Sequence, residues 1–167
     1  MTSNCWPTFH VQSMIWATDS TGIETLLFPP ASAVEYLREH PVKFPPKSEE
    51  ANAKSGAGPQ QPGINGCFHD WDSAVAAEVG ASSLIKAAGY KIDVLMSAFH
   101  GDKEYGSQAS CEHNGDVLFN GGYWGTNVHP FETVFIKSNR DVDPVALKDH
   151  TDWVNGRGYS SYDYCLA

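Results

Sequence analysis

The sequence predicts an α/β domain, a mixed sheet flanked by helices, and three observations carry that prediction. An Ala- and Leu-rich stretch from about Asp72 to Ala88 offers Val75, Val79, Leu84, Ile85 and Ala88 for inward packing, and Gly89 is placed to end it. Directly after it, Tyr90 to Phe99 alternates Ile92, Val94 and Met96 with Lys91, Asp93 and Leu95, the period of a half-buried strand. The length of 167 residues, with 41% hydrophobic and 12% aromatic residues, suits one such domain or part of a larger one with a sizeable core.

The other elements follow from local signals. His10 to Thr18, with Val11, Met14, Ile15 and Trp16, reads as a buried strand ended by Asp19-Ser20. Asp19 or Ser20 caps a helix starting near Thr21, with Ile23, Leu26 and Leu27 on one face, and Phe28-Pro29-Pro30 stops it. A second amphipathic stretch from about Ser32 to Glu39 sets Val34 and Leu37 three apart. From Pro41 to Asn65, prolines, glycines and a charged patch predict a flexible loop: an insertion, a lid or a linker. Short strands at Val117 to Phe119 and Thr133 to Lys137 bracket a Gly-rich turn, and a last helix runs from Pro144, capped by Asp143, to Val154.

Charge and patterning exclude several functions. With 11 basic and 20 acidic residues the net charge is −9, which repels polyanions and argues against a nucleic-acid partner. Apolar runs such as Val94 to Phe99 fall far short of the roughly 18 to 20 residues of a membrane span. The N-terminus lacks a basic and apolar secretory leader, and no Asn-x-Ser/Thr sequon occurs, so a cytoplasmic location is expected. Four cysteines, Cys5, Cys67, Cys111 and Cys165, are too few and too spread for a disulfide scaffold. Cys5 and Cys165 can meet near the chain ends, but spacing does not fix connectivity.

Five groups of residues have chemistry to offer. Asp70-Trp71-Asp72 presents alternating carboxylates that suit a Mg²⁺ or Mn²⁺ ion carrying a diphosphate, or simply cap the helix that follows. Cys67-Phe68-His69 and Cys111-Glu112-His113 repeat a Cys-x-His spacing that could surround zinc, against a plainer reading of buried thiols and solvated imidazoles. Asn120 to Pro130, NGGYWGTNVHP, mixes glycines, two aromatic rings, amides and His129, as a sugar site or as a turn. Glu78, among small helix neighbours, is a candidate base if it faces inward, and Glu132 has similar standing. Lys137, Arg140 and Lys148 stand out as cations that could meet a phosphate, or as solvated charges.

The segments CWPTFHVQSMIWATD from Cys5, CFHDWDSAVAAEVGA from Cys67, NGGYWGTNVHPFETVFIKSNRDVDP from Asn120 and the final GYSSYDYC resemble the C-terminal part of a group of fungal glycosyltransferases. More distantly they are similar to rhamnan-synthesis F-type proteins of bacterial polysaccharide assembly. The resemblance covers nearly the whole chain except the Pro41 to Asn65 loop. It implies the C-terminal part of a glycosyltransferase A-type domain, transferring a sugar from a nucleotide-sugar donor to a glycan, polysaccharide or small-molecule acceptor. In fuller members a further segment precedes the His-x-Gln-Ser region and forms the nucleotide-binding half, so this chain is expected to supply the acceptor side.

On that resemblance Glu78 is the catalytic base. His10, Gln12, Ser13, Asn120, Trp124, Asn127, Glu132 and Lys137 contact substrate, and His129 with Asp70 and Asp72 would hold Mn²⁺ or Mg²⁺ with the nucleotide sugar. Two other functions stay open at this point. One is a non-catalytic carbohydrate- or partner-binding remnant that lacks the donor half; the other is a small metal-dependent enzyme using the Cys-x-His pairs or Asp70 and Asp72.

Overall fold

The computed structural model describes residues 3–43, 61–68, 70–99, 105–106, 111, 116–129, 132–133 and 141–158. The ordered elements are β1 (Ser3–Asn4), β2 (His10–Val11), α1 (Ser20–Leu27), α2 (Ala31–Glu39), α3 (Trp71–Ala87), a 3-10 turn (Ser97–Phe99) and α4 (Pro144–Gly156). The fold is mixed but mainly helical. Its only ladder among the described residues is the antiparallel pair β1 and β2, with Ser3 opposite Val11 and Asn4 opposite His10.

Helices form where local capping dictates them. Asp19 accepts from the Gly22 N–H at 2.8 Å, Asp70 from the Ser73 N–H at 2.8 Å, and Asp143 from the N–H groups of Val145 and Ala146. Each satisfies donors that a helix N-terminus leaves unpaired. At the far end of α3, Gly89 turns the chain at φ 88°. α3 packs against α1, α2 and β2. Leu84 is fully buried with Leu26 of α1 and Ala33 of α2, and Val79 is 1% exposed. The loop after α2 returns to α1, where the Ile64 N–H donates to the Leu26 carbonyl at 3.0 Å. Gly63 makes that approach possible, since a Cβ there would lie 2.5 Å from the same oxygen and its φ is +87°.

The expected strands are where sequence and structure differ. The predicted strand from His10 to Thr18 shortens to His10–Val11, and Ile15 and Trp16 are exposed rather than buried. Side chains of α3 take over the backbone donors that a sheet would use. Val11 N–H donates to Ser82 Oγ at 2.9 Å, and Ser13 N–H to Glu78 Oε1 at 3.2 Å. Tyr90 to Phe99 keeps the predicted alternation of burial, with Val94 and Met96 inside and Leu95 outside, yet it is irregular chain ending in the 3-10 turn. Its donors go to carboxylates: Val94 N–H to Asp93 and Ser97 N–H to Glu132. Alternation reported burial, and pairing did not follow. Val117 to Phe119 is likewise a turn, anchored by a single bridge between Asn4 and Asp116. Val94, Met96, Phe99, Val117, Leu118 and Val128 form a second core. Residues 134–137 of the last expected strand, and 44–60 of the expected loop, lie outside the described residues. α4 buries none of its residues. Among the described residues no helix is long and apolar enough to cross a membrane.

Candidate functional site

β2 and the two residues after it carry His10, Gln12 and Ser13 onto one flank of α3. Strand alternation alone does not place them; each side chain is held by its own partner. Gln12 is 3% exposed and donates from Nε2 to Asp116 Oδ2 at 2.9 Å, across 104 residues of chain. The other Asp116 oxygen accepts from the Leu118 N–H at 3.0 Å. Ser13 meets Glu78 twice, through its N–H and through its hydroxyl at 2.7 Å, and both bonds fall on Oε1. No protein donor among the described residues reaches Oε2. Glu78 therefore spans the β2–α3 junction from a half-buried position, fixed at one oxygen and, among the described residues, open at the other.

These side chains line a cavity of about 550 Å³, with Asn4, Trp6, His10, Gln12, Trp71, Glu78 and Asp116 on its walls. Trp6 and Trp71 are 45% and 60% exposed with ring centroids 6.3 Å apart, so two aromatic faces stand at a polar floor. A cavity of this size, with aromatic walls and a few convergent polar groups, has the makeup of a small-molecule site. Two carboxylates in it oppose an anionic ligand and favour one rich in hydroxyl donors.

His10 is 3% exposed, and its Nδ1 lies 2.8 Å from the Thr8 carbonyl oxygen, which only accepts, so the Nδ1–H donates. Burial holds the imidazole below its ordinary value of 6.5, although the Thr8 bond and the nearby Glu78 and Asp116 carboxylates pull it upward. The native ring is neutral and leaves Nε2 as an acceptor. As pH falls below 6.5 the unfolded chain takes up this proton before the folded one does. Stability from His10 is thus complete above that value and is lost as pH drops through the folded-state pKa. Urea midpoints measured downward from about pH 7.5 should fall more steeply for the parent than for His10→Asn, whose amide keeps the Thr8 bond without titrating. Parallel curves would refute this role for His10.

The remaining expected residues lie elsewhere. Glu132 joins a second cluster, where its Oε1 accepts from the Ser97 N–H at 3.0 Å, the Ser97 hydroxyl at 2.6 Å and the Tyr123 hydroxyl. Burial alone would raise its carboxyl, but these donors outweigh that and hold it below the usual carboxylate range. Burial and the bond to Glu132 together raise Tyr123. Glu132 acts here as a clasp between the 3-10 turn and the Gly-rich turn. In that turn Asn127 Oδ1 accepts from the Gly121 N–H at 2.6 Å, and Asn120 N–H donates to the Asp141 carbonyl at 2.5 Å. Trp124 is 44% exposed at φ 50°, with its ring 4.9 Å from Tyr123 and 5.5 Å from Phe99. Gly122 is required because a Cβ there would sit 2.5 Å from the Asp116 carbonyl, so this glycine serves the turn that positions Asp116. Lys137 lies outside the described residues.

Asp70 is the cap of α3 and Asp72 sits in its first turn, where negative charge suits the helix dipole. His129 is exposed beyond Val128. Among the described residues no three His, Cys, Asp or Glu converge as a metal-holding group. The zinc arrangement built on Cys111 is corrected outright, because Cys111 is disulfide-bonded to Cys5 with their Cα atoms 5.7 Å apart. The same bond displaces the Cys5–Cys165 pairing, and Cys67 is an exposed free thiol.

Four residues of the cavity, Asn4, Trp6, Trp71 and Asp116, were not expected from sequence. Asp116 follows Asn114-Gly115 and reads there as a turn residue. Trp6, beside a proline, gave no periodic signal. Comparison with family models, with curated proteins and with solved structures found no match for this chain.

Proposed function

We propose that the chain is a glycosyltransferase-like protein, transferring a sugar from a nucleotide-sugar donor to a glycan, polysaccharide or small-molecule acceptor. The observation that carries this reading is the cavity of about 550 Å³ in which Gln12, Asp116, Glu78 and neutral His10 face Trp6 and Trp71. Indole faces cover the apolar face of a pyranose, while carboxylates and amides accept and donate to its hydroxyls. The resemblance to fungal glycosyltransferases and rhamnan-synthesis F-type proteins agrees with that chemistry. On this reading the short β1–β2 ribbon belongs to the mixed sheet of an A-type α/β domain.

Glu78 is the base. As an acceptor oxygen attacks the anomeric carbon, its proton passes to Glu78 Oε2, the bond from anomeric carbon to phosphate oxygen breaks, and the electron pair leaves on the diphosphate. Ser13 holds the other carboxylate oxygen so that the proton acceptor is already aimed. The carboxylates of the cavity keep the diphosphate out of it, so the sugar ring enters alone. Among the described residues Asp70 caps α3 and no three His, Cys, Asp or Glu gather around Asp72 or His129, so no step is routed through Mn²⁺ or Mg²⁺. We further place the protein in an oxidising compartment rather than the cytoplasm, because a disulfide persists where thiols are not kept reduced.

Calorimetry of the purified chain against neutral saccharides and nucleotide sugars tests the reading. One class of sugar should bind, and Trp71→Ala should weaken it roughly tenfold, the effect of losing one aromatic face. Trp71 is largely exposed, so the variant keeps its core. A cooperatively folded protein that binds no sugar would overturn the proposal.

A further inference from the structure

A second cavity, of about 230 Å³, opens on the other side of Glu78. Among the described residues Glu78 is the one that lines both this cavity and the larger one. The two differ in chemistry. The smaller is walled by Val11, Trp16, Leu26, Ile85 and Ile92, with Ser13, Thr18, Ser82, Lys91 and Asp93 as its other polar lining, and several of these polar groups already have partners. Ser82 Oγ accepts from the Val11 N–H, the Ser13 hydroxyl donates to Glu78, and Asp93 Oδ1 accepts from the Val94 N–H at 2.8 Å. Lys91 and Asp93, both exposed, place opposite charges together at the lining and so give it no net preference for an ion.

We infer that this smaller cavity binds the acceptor, and that the acceptor is an apolar alcohol: a hydroxyl on an aromatic or compact aliphatic body. The inference rests on the glycosyl-transfer reading and narrows its acceptor class. Apolar walls reward a hydrocarbon body, and Glu78, whose Oε2 has no protein donor among the described residues, lines the cavity as a carboxylate able to accept one hydrogen bond. A ligand here gains most by bringing one O–H donor on an otherwise apolar frame. Such a hydroxyl meets the same carboxylate that borders the sugar cavity, which is the relation a transfer between the two ligands demands. A polyol would leave hydroxyls unpaired against Leu26, Ile85 and Ile92, and a polysaccharide chain exceeds the enclosed volume.

The test uses 2-naphthol and its methyl ether as probes, followed by ligand-observed NMR on the intact chain. 2-Naphthol should bind, and the ether, with no proton to give Glu78, at least tenfold more weakly. Ala17 is exposed and lines the smaller cavity but not the larger one, so Ala17→Phe fills it from its exposed side while every core side chain is kept. That variant should lose 2-naphthol while its unfolding temperature and its saccharide affinity stay those of the parent. Equal binding of alcohol and ether, or 2-naphthol binding untouched by Ala17→Phe, would overturn the inference. Absence of 2-naphthol binding beside intact sugar binding would sink the acceptor class and leave the transferase reading standing. Binding of 2-naphthol with no sugar binding would sink the transferase reading instead.

Discussion

Reducing the Cys5–Cys111 disulfide should cost the protein about 2–5 kcal/mol of unfolding free energy and move its urea midpoint down accordingly. The bond closes a loop across a separation of 106 residues, so its loss releases a large part of the unfolded chain's conformational freedom. It also lies beside the site. Cys5 stands between Asn4, which bridges to Asp116, and Trp6, which walls the sugar cavity. Reduced protein, or Cys5→Ala with Cys111→Ala, should therefore lose saccharide affinity before it loses all structure. Urea titrations with and without reductant, each read alongside sugar binding, check both effects. A midpoint indifferent to reductant would show that the bond staples nothing.

Glu78→Gln should lower the transfer rate by about 10²- to 10⁴-fold, the range for removal of a general base, while saccharide affinity changes by only severalfold. Glutamine keeps a carbonyl oxygen at the same reach, so the Ser13 N–H and hydroxyl retain their acceptor and the β2–α3 junction stays intact. Glu78→Ala removes that acceptor too and should destabilise the protein as well. The pair separates proton transfer from positioning. Rates are read with the nucleotide sugar selected by the binding panel and with 2-naphthol as acceptor. Full activity in Glu78→Gln would remove Glu78 as the base and require another group to take the proton.

The helices were legible because their signals are local. Asp19 and Asp143 are the caps that the sequence offered, and at α3 the cap is Asp70, ahead of the Asp72 or Ser73 expected there. Strands were not legible in the same way, since a strand needs a partner and these segments find side chains instead. Val11 and Ser13 turn to Ser82 and Glu78 across helix α3, a substitution that alternation of hydrophobic residues cannot reveal. The site divides along the same line. Glu78 was suspected from its helical setting and His10, Gln12 and Ser13 through the resemblance, and the four lie at the β2–α3 junction. Asp116 is defined by a pairing over 104 residues, and Cys111 by a partner in β1's continuation, so neither had a neighbour in sequence to betray it. Asn127 and Glu132 have the residue types of a sugar site, and in the structure their side-chain oxygens hold turns, while Asn120 joins its turn through its backbone N–H.

Helix α4 carries several stabilising contacts within its own sequence. These are Asp143 at the cap, Pro144 in the first turn, the Lys148–Asp152 pair and the Arg157 guanidinium 4.9 Å from the Trp153 ring. None of its residues is buried, whereas Leu84 of α3 lies in a core with Leu26 and Ala33. A helix with no buried residue opens its hydrogen bonds at a lower free energy, by fraying from its ends, than one held in a core. Two helices with the same kind of cap thus differ in how closely their opening is tied to the unfolding of the molecule.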